Sequence, residues 1–187
     1  MNALHLQFLA SPEWARMLET DLLPWVRSAV ELGDDVLEIG PGPGLTTDLL
    51  RTLVPNLTAI ELDPALASAL SERTAGTNVT VIEADATASG LPGDRFSAVT
   101  CFSMLHHVPD PSLQDRLFSE AARVLRPGGS FLGVDSVDAE AIRAFHEGDV
   151  FVPVPPQTLP ARLETAGLQD CSVDTADYQI RFVATKR

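Results

Sequence analysis

The apolar pattern of this chain changes period repeatedly, and each change predicts an element. Short runs rich in Val, Ile, Leu and Phe at about 35–39, 57–61, 79–83, 96–102 and 129–134 predict strands. Ala98-Val99-Thr100-Cys101-Phe102, with almost no polar interruption, suits a strand buried on both faces. Between these runs, residues 45–54, 64–75 and 112–126 carry apolar side chains at helical spacing. Regular alternation of strand and helix predicts parallel βαβ units in one sheet, an α/β architecture. Ahead of it, residues 11–30 predict one or two amphipathic helices, with Ser11 as N-cap, Pro12 at the first helical position, an apolar stripe of Trp14, Met17 and Leu18, and Pro24 as an interruption. Beyond it come a short helix over 139–147, a stiff proline-marked connection from Pro153 to Pro160, a helix over 159–166 ending at Gly167, and two alternating segments, 168–175 and 178–185. With Ala176 and Asp177 between them, those segments predict a hairpin.

The first strand runs into Gly40-Pro41-Gly42-Pro43-Gly44, three glycines at alternate positions. Glycine tolerates positive φ and lets a ligand approach backbone N–H groups, so the turn predicts a nucleotide-binding loop. Thr46, Thr47 and Asp48 then offer capping chemistry for the following helix. A dinucleotide fingerprint would need a glycine at position 45, which is Leu45, and Glu38 just before the loop would repel a pyrophosphate.

Glu38-Ile39-Gly40-Pro41-Gly42-Pro43-Gly44 instead resembles motif I of class I S-adenosylmethionine-dependent methyltransferases, in which the acid faces a cationic, zwitterionic ligand. Four further blocks match in family order. They are Ala59-Ile60-Glu61-Leu62-Asp63-Pro64, Glu83-Ala84-Asp85-Ala86, the run from Phe96 to Asp110, and Arg123-Val124-Leu125-Arg126-Pro127-Gly128-Gly129. Together they span roughly residues 35–135, and the fourth resembles the small-molecule, quinone-biosynthesis-like branch. One departure is Ser97, where that branch usually carries Asp.

The resemblance implies a Rossmann-like, doubly wound seven-stranded sheet of order 3-2-1-4-5-7-6 with strand 7 antiparallel. It implies one methyltransferase domain over 1–187, with N-terminal helices in 1–32, the cofactor-binding core in 33–136, and further helices and strands 6 and 7 in 137–187. It also implies S-adenosyl-L-methionine as cofactor. By position, Gly40, Gly42 and Gly44 would lie beneath its methionine and ribose, Glu38 would face its cationic part, and Glu61 would accept from the ribose hydroxyls. Leu62 would cover the adenine, Asp85 and Ala86 would bind the adenine edge, and Phe102 and Ser103 would close the methionine side. Asp63 reads as a helix N-cap before Pro64. His106 and Asp135 are candidate bases for a protonated acceptor, with a structural role for His106 as the alternative. Glu140, His146, His5, Phe8 and Trp14 are candidates to line the acceptor pocket.

Composition narrows the partners. A net charge of −13, with 13 basic residues among 26 acids, disfavours nucleic acid, whose phosphates need clustered Lys and Arg. The family of RNA adenine dimethyltransferases shares the glycine loop but carries Asn-(Leu/Pro)-Pro-Tyr where this chain has Cys101-Phe102-Ser103-Met104. No apolar run approaches a membrane span, and the residues after Met1 lack a secretory pattern. Cys101 and Cys171 predict no disulfide framework, so a reducing cytoplasm is expected. The adjacent pair His106-His107 has no third ligand at useful spacing, so no metal site is expected. The expected activity is methyl transfer to a small molecule. The alternative is a noncatalytic domain that binds the cofactor or a protein partner.

Overall fold

Register carries the first five strands into one parallel sheet. In the computed structural model, which describes residues 2–176 and 178–187, these are β1 (Asp35–Ile39), β2 (Asn56–Glu61), β3 (Val79–Glu83), β4 (Phe96–Phe102) and β5 (Leu125–Ser136). β7 (Gln179–Lys186) runs antiparallel between β5 and β6 (Leu168–Ala176), giving the order β3-β2-β1-β4-β5-β7-β6. The expected topology is thus the observed one. The β6–β7 hairpin forms as predicted, although Asp177 of its turn, like Met1, lies outside the described residues.

Alternation along the strands splits the apolar side chains between two layers. Leu37, Ile39, Val99, Cys101 and Phe131 face α6 (Pro111–Val124) and α8 (Leu159–Thr165). Val36, Ala98, Phe102, Leu132 and Val134 form the opposite layer with Val26 of α3 (Leu23–Ala29) and Leu50 of α4 (Leu45–Leu50). Helices on both faces explain why β4 is buried along its whole length and lacks a polar face. Phe131 packs between Phe118 and Phe182, with ring centroids 6.2 and 5.1 Å apart. A Cβ at Gly133 would overlap the Phe182 ring and crowd the Cys101 carbonyl. Gly133→Ala is therefore expected to lower stability by about 1–3 kcal/mol through overpacking, measurable by urea denaturation.

One local expectation is corrected and two details are added. Pro24 does not break the second N-terminal helix. The chain widens into a π-helical segment, Leu18–Leu22, between α2 (Pro12–Met17) and α3, and Pro24 sits in the first turn of α3, where no N–H is required. Residues 3–9 form α1 (Ala3–Leu9), capped by the Asn2 side chain, ahead of the helical segment read from 11–30. Ser97, where the resembled branch usually carries Asp, makes a polar tie of its own. Its buried hydroxyl lies 2.6 and 2.8 Å from the Leu32 and Asp35 carbonyls and accepts from the Asp35 N–H, joining β4 to the start of β1. Gly33 packs so closely on Ser97 that a larger side chain there would have to displace it. The remaining helices are α5 (Pro64–Arg73), N-capped by Asp63 as expected, and α7 (Glu140–Phe145). Among the described residues no helix is long and apolar enough to cross a membrane.

Candidate active site

The sheet order reverses between β1 and β4, and the carboxyl ends of β1, β2, β3 and β4 converge on one rim there. At that rim Gly40, Gly42 and Gly44 adopt φ of 66°, 54° and 86°, which accounts for glycine at alternate positions. Gly44 is the N-cap of α4 without a side-chain cap, so the capping expected of Thr46 and Thr47 is not what they do. Both hydroxyls donate instead to the Glu38 carboxylate, Thr47 at 2.6 Å, and pin the helix to the end of β1. Glu38 is buried, and burial raises its pKa from 4.5 to about 7 despite those two hydrogen bonds. It supports the loop from below and, like Gly44, does not line the cleft.

The other predicted cofactor residues come together. Gly40, Gly42, Glu61, Leu62, Asp85, Ala86, Phe102 and Ser103 all line a cleft of about 710 Å³. Glu61 Oε2 accepts from the Gly42 N–H and Oε1 from the Asp63 N–H, both at 3.0 Å, so one carboxylate holds the glycine loop to the end of β2. Leu62 is 68% exposed, projecting over the rim, and Asp85 turns the chain by accepting from the Thr87 N–H. Ser103 has φ of 52°, a strained conformation for serine, held by its N–H donating to the Val134 carbonyl at 2.7 Å. Sequence reasoning missed Leu6, Met104 and Leu113, which supply apolar walls. The only trace of Met104 was the glycine at 40, since a Cβ there would overlap the Met104 side chain.

The lining tests the cofactor. Its charged residues are the acids Glu61, Asp63 and Asp85, and among the described residues it includes no Lys or Arg. A pyrophosphate would be repelled, whereas a sulfonium nucleoside with hydroxyls to donate and an apolar ring to bury fits these groups.

A second cavity of about 550 Å³ adjoins the cleft and shares Leu9, Trp14, Phe102 and Ser103 with it. The acceptor-pocket candidates His5, Phe8, Trp14 and His146 line it, as do His106 and Asp135, while Glu140 does not. His106 Nδ1 lies 2.5 Å from Asp135 Oδ1, and both side chains are almost wholly buried. The structure also supplies what the spacing of His106 and His107 did not. His5 and His146 stand beside them, with centroids 4.7 Å apart from each other and 4.8 Å from His107 and His106 respectively. Burial first, and the neighbouring imidazoles second, lower the pKa of His5 to about 4 and of His107 to about 3, and burial lowers that of His146.

Sheet order, glycine loop and acidic, cation-accepting rim define a class I S-adenosylmethionine-dependent methyltransferase. A family described as a methyltransferase domain matches residues 37–133, just over half of the chain, and the chain belongs to it. A ubiquinone biosynthesis O-methyltransferase from Dechloromonas aromatica is 35% identical over 112 residues, 57% of this chain and 47% of that protein. The chain spans about half the length of the curated relatives it matches. Among solved structures, a SAM-dependent methyltransferase from Aquifex aeolicus superposes with a TM-score of 0.77 over 100% of both chains at 17% identity. Phosphoethanolamine N-methyltransferase 2 from Haemonchus contortus, in complex with S-adenosyl-L-methionine, gives 0.76 over 92% of this chain and 52% of that one at 16% identity.

Proposed function

We propose that this chain transfers a methyl group from S-adenosylmethionine to a small-molecule acceptor of the kind handled by quinone-biosynthesis O-methyltransferases, and that residues 1–187 act as one catalytic unit. The observation that carries this reading is the meeting of two cavities at Phe102 and Ser103, one lined by acids and the glycine loop, the other largely apolar and reached by α1, α2 and α7. The cofactor supplies a methyl group made electrophilic by sulfonium charge. What remains for the protein is placement and exclusion of water.

Glu61, Asp85 and the loop backbone hold the nucleoside. Phe102 and the strained Ser103 form the threshold that an acceptor must face, and Leu9 and Trp14 close it from the N-terminal side. The acidic surface supports a small-molecule acceptor over RNA. Two free thiols, Cys101 and Cys171, favour a reducing compartment such as the cytoplasm.

The test is thermal denaturation with S-adenosylhomocysteine, followed by a cofactor-release assay over a panel of phenols and other small metabolites. A ligand that binds the native state must raise its stability. At 100 times its Kd the midpoint should rise by the equivalent of about 2.7 kcal/mol. An unmoved midpoint removes the cofactor; a raised midpoint without turnover on any acceptor leaves only the noncatalytic alternative.

A further inference from the structure

The chain contains four histidines, and the fold gathers all of them at the wall between the two cavities. They arrive from three remote segments. His5 comes from α1, His106 and His107 from the turn after β4, and His146 from the end of α7. One ring nitrogen from each can be chosen so that all four lie within 4.8 Å of one another.

In three of the four rings the hydrogen-bond partner assigns the proton. His106 Nδ1 faces Asp135 Oδ1, His107 Nδ1 lies 3.2 Å from the Val150 carbonyl, and His146 Nδ1 lies 2.7 Å from the Ile142 carbonyl. A carbonyl oxygen, or an ionised carboxylate, can only accept, so the Nδ1 atoms are the donors and each Nε2 of a neutral ring presents a lone pair. Those three Nε2 atoms, and Nδ1 of His5, are buried without a hydrogen-bond partner. Buried polar atoms are nearly always satisfied, and lone pairs gathered in one buried place repel one another unless a donor or a cation lies between them. Backing each imidazole by a carbonyl or carboxylate on its far nitrogen is the arrangement that orients histidine ligands toward a metal.

We propose that His5, His106, His107 and His146 bind one first-row divalent transition ion, with Zn²⁺ as the fitting occupant, and that the ion clasps α1 and α7 onto the β4 turn and so shapes the acceptor cavity. Four imidazoles with no carboxylate among them suit Zn²⁺ or Co²⁺ and not Mg²⁺ or Ca²⁺. In a tetrahedral site with Zn–N of about 2.0–2.1 Å the nitrogens stand ~3.3 Å apart, so closure needs movements of roughly 1 Å by side chains already facing one another. Two carboxylates stand beside the cluster: Asp135, whose Oδ2 is buried without a hydrogen-bond partner, and Asp149, whose Oδ2 accepts from the Asn2 N–H and lies 4.0 Å from His5 Nδ1 and 3.9 Å from His107 Nδ1.

The inference is independent of cofactor binding and is tested without it. Tag-free full chain, stripped with a chelator, is titrated with Co²⁺ and then Zn²⁺. Expected are intense visible ligand-field bands of a four-coordinate nitrogen site, saturating at about one ion per chain and erased by Zn²⁺, and a higher thermal midpoint with Zn²⁺ but not with Mg²⁺. His5→Ala and His146→Ala, checked by circular dichroism for retained fold, should each weaken Co²⁺ binding by at least about tenfold. Weak bands of hydrated Co²⁺ at one equivalent in the wild type would overturn the site by themselves, whether or not the variants fold. Unchanged titrations in both folded variants would do the same.

Discussion

Replacing Glu61 with Ala is expected to weaken S-adenosylhomocysteine binding by roughly 10- to 100-fold while leaving the sheet folded. Its carboxylate holds two backbone N–H groups, those of Gly42 and Asp63, and faces the cleft where nucleoside hydroxyls would donate. Charge-assisted hydrogen bonds contribute about 1.5–3 kcal/mol each, and 1.4 kcal/mol is about tenfold in affinity. Removing the side chain loses a ligand contact and also frees the glycine loop to sample conformations that do not bind. Gly42→Val should go further. At φ of 54° a β-branched residue is strained by roughly 1–3 kcal/mol, and its side chain would stand in the cleft lining itself. Isothermal titration calorimetry on both variants decides the matter. Wild-type affinity in two folded variants is incompatible with a nucleoside lying on this rim.

The second large effect concerns Glu38 and pH. Below about 4.5 this group is protonated in folded and unfolded chains alike and contributes no difference. As pH rises the unfolded carboxyl ionises first, because burial holds the folded one protonated until about 7, so folding becomes progressively less favourable across that window and constant above it. A displacement from 4.5 to about 7 corresponds to about 3 kcal/mol. Glu38→Gln removes the ionisation and keeps a carbonyl for one of the two threonine hydroxyls. Between pH 4.5 and pH 8 the stability of the Gln variant relative to wild type should therefore shift by about 3 kcal/mol in favour of Gln, measured by urea denaturation at each pH. A difference that stays flat with pH means that Glu38 ionises freely in the folded protein, and its place under the loop would need another explanation.

Much of this molecule was legible in one dimension. Strand positions followed from apolar runs bounded by turn residues, because a parallel sheet covered on both faces requires continuous hydrophobic segments. The seven-strand order came from the ordered motifs and their resemblance to a family, since local pattern cannot choose among topologies. At the cleft, Gly40, Gly42, Glu61, Leu62, Asp85, Ala86, Phe102 and Ser103 lie at strand ends, and a strand end is a position that sequence specifies well. Glu38 was legible as important but not in its role. Which way its carboxylate faces depends on Thr46 and Thr47 folding back over it, and the same hydroxyls had equally suited capping.

Where each of the first four strands ends, and therefore which acids meet at the rim, was determined by residues close together in sequence, through backbone preferences and burial that act over a few positions, whereas β5 begins at Leu125, inside the segment expected to be helical. Tertiary structure decided what those ends face. Met104 fills the space that glycine leaves at 40, and a π-helical segment takes up the strain expected at Pro24. Most of all, the fold brought His5 and His146 to His106 and His107 across separations of about 100 and 40 residues. No periodicity encodes such a meeting. It exists only because α1 and α7, far apart in sequence, pack over the same strand terminus, where side chains with no local reason to associate come within reach of one another.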